Sequence, residues 1–110
     1  MPDASPYVLA RQLETDIRGI LSLVDESDLT SQLKQTLNNI KHGITDARLD
    51  VRDYDLADTR AEQVKAAKEV SGRLQMVRQQ ILVASQHNIF SAIDVAHLSA
   101  RIDSIIELAV

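Results

Sequence analysis

The 110-residue chain has no cysteine and no tryptophan. Disulfides, zinc–thiolate sites and thiol nucleophiles are therefore excluded. Its aromatic residues are only Tyr7, Tyr54 and Phe90. The formal net charge is −4, from 12 basic and 16 acidic residues. A nucleic-acid binder carries a basic face, usually with stacking aromatics, so this composition argues against nucleic acid as a partner. Glycine occurs 3 times and proline twice, and both prolines (Pro2, Pro6) precede residue 7. An all-β protein needs those residues at many turns, so the reading shifts to an all-α chain. Long apolar runs are also missing. Ile20–Val24 is interrupted by Ser22 and is far too short to span a bilayer. The first residues, Met-Pro-Asp-Ala-Ser-Pro, have neither the basic nor the apolar region of a signal peptide. The expectation is a cytoplasmic protein with no membrane partner and one domain over 1–110.

Apolar residues make up 45% of the chain, and their spacing is helical. Four helices are expected, at about 6–24, 26–54, 59–85 and 91–109. The first opens with Ser5 as N-cap and Pro6 at the first helical position, where a missing N–H costs nothing. Its apolar face is Leu9, Leu13, Ile17, Ile20 and Val24. Asp25 is the expected cap of the second helix, with Ser27 competing, and Val24 and Leu29 have hydrophobic-staple spacing. The second seam is Leu29, Leu33, Leu37, Ile40, Ile44, Ala47, Val51 and Tyr54. After Tyr54 the phase slips, and Thr59 with Glu62 matches a capping box, so a tight turn is placed there. The third seam is Ala61, Val64, Ala67, Val70, Leu74, Val77, Ile81 and Ala84. Ser91 with Asp94 is a further capping box, and Val95, Leu98, Ile102, Ile105, Ile106 and Ala109 follow.

The second and third seams mirror each other about residue 57. Leu33 then faces Ile81, Leu37 faces Val77, Ile40 faces Leu74, Ile44 faces Val70, and Gly43 faces Gly72. Antiparallel helices have such a mirrored register. The fold expected is a four-helix antiparallel bundle, coiled-coil-like in its spacing, with a longer central hairpin. Its segment from about 45 to 66 would project beyond the short helices. A rival uses the same register: with no turn near 57, the middle helices fuse, and two chains pair as an antiparallel homodimer.

The projecting tip is the candidate partner-binding surface. Leu49, Tyr54 and Leu56 would serve as anchors and Arg52 and Asp55 as the polar rim. The competing reading is a solvated charged face with scattered leucines. Asp53, Asp55 and Asp58 lack the glycine and closing glutamate of a calcium loop. Asp94-Val-Ala-His97 is a single acid–His spacing where a di-iron bundle needs paired ones. His97 with Arg101 could serve histidine phosphotransfer, although the Gly and Lys expected after such a His are absent. His42 and His87 have ordinary surface explanations. No phosphate-cradling, dinucleotide or nucleophile-elbow motif occurs. The sequence thus points away from an enzyme, a cofactor or a metal. It points to a small adaptor, regulator or assembly subunit that binds another protein or a second copy by helix packing.

Overall fold

The structure is a computed structural model and describes residues 5–109. Four α-helices run in chain order: α1 (Pro6–Ser22), α2 (Ser31–Leu56), α3 (Arg60–Ser85) and α4 (Ala92–Leu108). A single 3-10 turn, Glu26–Asp28, separates the first two. The expected all-α bundle with a longer central hairpin is the observed architecture. α2 and α3 make the dominant packing, and α1 and α4 lie on them and on each other.

The helix starts follow the cap chemistry. Ser5, Thr30, Thr59 and Ser91 each accept a hydrogen bond from the backbone N–H three residues on, satisfying one of the otherwise unpaired first-turn donors. At Ser91 the box is complete, because the Asp94 carboxylate accepts from the Ser91 N–H in return. The start of the second helix is a correction. Asp25 does cap a turn, but only the 3-10 turn, where it accepts from the N–H and hydroxyl of Ser27. These bonds hold the Asp25 carboxyl below its ordinary pKa. α2 begins five residues later than expected, where Thr30 captures the Leu33 N–H. Two cap-competent sites in succession made the earlier one look sufficient.

The core is one cluster reaching from Ala10 through Leu37, Ile40, Ile44 and Leu74 to Ile102 and Ala109. The α2 seam is buried from Leu33 to Tyr54, and Thr36 and Asp50 are buried beside it. On α3 the seam holds from Val70 to Ala84 but fails before that: Ala61 and Val64 are exposed, and Ala66 is buried in their place.

The register between α2 and α3 is also displaced. A Cβ placed on Gly43 would sit 2.9 Å from Val77 Cγ2, so the closest approach is to Val77, not Gly72. Arg73 pairs with Asp50 at 2.8 Å and lies 3.7 Å from Asp46. Mirror symmetry about residue 57 would set residue 43 opposite about 72 and residue 50 opposite about 65, so both contacts lie roughly one and a half to two helical turns further along α3. The reason is the periodicity itself. A seam that repeats every 3.5 residues matches its partner again after each shift of three or four, and the apolar pattern cannot choose among them. Gly72 lies on the exposed side, with open space around it among the described residues.

The turn between α2 and α3 is real. Ala57 and Thr59 have extended backbone, and the helices are separate within one chain. The projecting hairpin is shorter than expected. The eight residues Leu23–Thr30 carry α1 along α2, so that Arg18 reaches Lys41 and Thr45, and Tyr7 reaches Arg48. At the far end the Tyr54 hydroxyl donates to the Leu108 carbonyl. Only about residues 55–65 stand clear of the bundle.

Glu14 fastens α1 to α2. It accepts from Thr45 Oγ1 at 2.6 Å and from Arg48 Nε at 2.8 Å, with Arg18 3.5 Å away. Burial alone would raise its pKa, but the Thr45 hydroxyl, Arg48 and Arg18 together outweigh burial and hold it below the ordinary 4.5. A carboxylate with a depressed folded-state pKa stabilises fully above its unfolded pKa and loses that effect as pH falls through the folded value. Glu14→Gln should therefore be less stable than wild type at neutral pH. The gap should close as pH drops through and below 4.5, in urea melts taken across that window. Gly43→Val should cost about 1–3 kcal/mol by crowding buried Val77. Gly72→Ala should gain up to about 1 kcal/mol from helix propensity alone. The same melts report both.

Candidate protein-binding surface

The five tip residues do not form one surface. Tyr54 is 9% exposed and closes the end of the core, with its hydroxyl bonded to α4. Its place as an exposed anchor is thereby corrected: the seam spacing from Val51 to Tyr54 carries it inward. Leu49 is half-buried, while Arg52, Asp55 and Leu56 are exposed, Leu56 at 68%. Leu49, Arg52 and Leu56 share a stripe at helical spacing on the side of α2 away from its seam. Partial desolvation pushes the Asp55 carboxyl above its ordinary value, although the residue as a whole is exposed. No ion pair offsets that cost among the described residues. The tip is thus one apolar residue between charges, which is a small footprint.

A larger surface lies between α1 and α4, the more weakly packed pair of neighbours. A groove runs along α1 and the first half of α4. Near the α1 start it is lined by Val8, Arg11, Gln12, Thr15 and Arg101. Further along, Asp16, Gly19, Ile20, Asp94, His97 and Leu98 line it, and Leu23 with Ile89 closes the end. The two most exposed large apolar side chains of the described residues are Leu23 at 88%, which lines this end, and Ile93 at 81%, the residue before the groove-lining Asp94. Neither belongs to its helix's seam. An apolar residue out of phase with the seam is the sequence signal that marks both.

His97 is exposed in the same groove. Arg101 lies 3.1 Å from its Nε2 and is also ion-paired with Asp16 across the groove. The guanidinium that would steady a phosphoryl group is already matched by a carboxylate, and Asp94 stands one turn away. A dianion at His97 would meet two acids and one neutralised cation, which weighs against phosphotransfer. Asp46, one helical turn after His42, lies beside Arg73. His87 is exposed in the α3–α4 loop, next to Asn88 at φ 63, a conformation asparagine tolerates better than most residues. Among the described residues no three His, Asp or Glu side chains converge as a metal ion would require, and no helix is long and apolar enough to cross a membrane.

The two readings of the tip separate on stability. Tyr54→Ala should cost about 3–5 kcal/mol, as loss of a buried aromatic does. Leu56→Asp should stay within about 0.5 kcal/mol of wild type. Chemical denaturation of the two variants checks this directly. No protein-family model, no curated protein and no solved structure matches the chain.

Proposed function

We propose that this chain is a protein-interaction module, a small cytoplasmic adaptor, regulator or assembly subunit, and that it binds through the α1–α4 face by helix packing. The observation that carries the reading is two large apolar side chains over four-fifths exposed, Leu23 at one end of a groove between two loosely packed helices and Ile93 next to Asp94, which lines that same end. Contiguous exposed apolar residues beside a groove mark interaction sites more often than incidental surface. A groove between two helices accepts a third element in the ridge-and-groove manner that packs helices elsewhere.

The chemistry of the described side chains supports a binder over an enzyme. Ser5, Thr30, Thr59 and Ser91 act as helix caps. The groove is open along its sides, and the one histidine in it is held by an arginine already paired with an acid. A cysteine-free chain suits a reducing compartment, and the cytoplasmic assignment rests on that. The tip, with Leu56, Arg52 and Asp55, is the second surface to test. Phosphotransfer at His97 remains the alternative activity. It requires acid-labile phosphate that disappears in His97→Ala.

A photo-crosslinking residue placed at position 23 or 93, and in parallel at 56, decides which face is occupied in cells. Crosslinks from 23 and 93 that are lost in Ile93→Asp and Leu23→Asp respectively are the expected result. Crosslinks from 56 alone would transfer the function to the tip. Acid-labile phosphate on the wild-type chain would overturn the binding-only reading.

A further inference from the structure

α1 and α4 carry the same pattern of exposed apolar residues, and the helical repeat sets Ile93 one turn before the groove-lining His97 and Leu108 two turns after the groove-lining Arg101. On α1 the exposed apolar residues are Val8 (45%) and Leu23 (88%). On α4 they are Ile93 (81%) and Leu108 (47%). The separation is 15 residues in each case. That interval returns a helix to within about 60° of the same direction, about 22 Å further on. The helices run antiparallel, so Val8 shares an end with Leu108, and Leu23 shares the other with Ile93. Midway along both spans sits the Asp16–Arg101 ion pair, joining the helices. Around it the surface is small or polar: Gln12, Thr15 and Gly19. A Cβ on Gly19 would meet nothing within 4 Å among the described residues, so the backbone is bare there.

An apolar–charged–apolar pattern, matched level by level on two antiparallel helices, is complementary to itself. We propose that the occupant of this face is a second copy of the chain, related by a two-fold axis that runs along the groove. This rests on the reading of α1–α4 as the binding face and names its partner. The axis lays each α1 over the partner's α4. Val8 then meets the partner's Leu108, and Leu23 meets the partner's Ile93. Asp16 meets the partner's Arg101, so four charges alternate in sign around the axis. The other two-fold axis in the plane, across the groove, would lay α1 on α1 and set Asp16 against Asp16. The charges therefore select the first. Such an interface is isologous and closes at two chains. The face is about 22 Å long and two helices wide, or roughly 450 Å² per chain, near half of a standard interface. The dimer is consequently weak and reversible.

Sedimentation equilibrium of the full chain, from about 5 µM to about 1 mM, should show a concentration-dependent monomer–dimer equilibrium at the upper end of the range. Leu23→Asp, Ile93→Asp and Gly19→Leu should each weaken it by about tenfold or more, with unchanged helicity. Gly19→Leu is the cleanest, since a Cβ there meets nothing within 4 Å among the described residues. Leu56→Asp should leave the equilibrium alone. The absence of native cysteine makes single-cysteine chains unambiguous. A mixture of Leu23→Cys and Ile93→Cys chains should form a disulfide between the two variants under mild oxidation. Faster coupling of Leu23→Cys to Val8→Cys chains would overturn this arrangement, because that is the contact of the rejected axis. A chain that stays monomeric throughout the range would overturn the second copy as occupant. Photo-crosslinks from position 23 to a different protein would in that case still support the binding face itself.

Discussion

The approach of α2 to α3 at Gly43 constrains everything else in this bundle. Val77 Cγ2 occupies the space where a side chain on residue 43 would begin, so the two long helices lock at that level. The register set there places Asp50 under Arg73, buries Ala66 rather than Val64, and fixes how far the tip extends. Asp50 is nearly buried and acidic, a costly combination away from a cation. Its pairing with Arg73 holds only in this register. The apolar seam supplies the affinity of the two helices, and the glycine and the buried carboxylate select one alignment among several.

The short helices then take what the long ones leave. α1 is bound to α2 by the Glu14 clasp as well as by its apolar face, and Tyr54 ties the end of α2 to α4. Between α1 and α4 there is less to hold. One ion pair bridges them at mid-height, and apolar residues remain in solvent at both ends. The weakest contact of the bundle is therefore also its most available apolar surface. It is on this side that the proposed function places another helical surface.

The all-α class, the existence of four helices and their relative lengths were legible in the residues. Helix caps are local chemistry: Ser5, Thr59 and Ser91 act within four residues of themselves, and the seam on α2 needs only the 3.6-residue repeat. Leu33 to Tyr54 is buried as that repeat requires. The start of α2 was harder, because Asp25 and Thr30 are both competent caps. What separates them is whether the following turn packs against the core, which is not a local property. Tyr54 was misassigned for a related reason. It lies on the seam, and the seam residue at a helix end is buried only if another element reaches that far. Here α4 does.

The sequence by itself determined that there are four helices, their approximate extents and most of each apolar face, since those depend on interactions between residues three or four apart. Tertiary structure decided the α2–α3 register, the burial of Asp50 and Tyr54, and the meeting of α1 and α4 in a groove with Val8 and Leu23 along its α1 side. A periodic seam is degenerate under shifts of one turn. Only contacts between residues distant in the chain, such as Gly43 with Val77 and Asp16 with Arg101, lift that degeneracy.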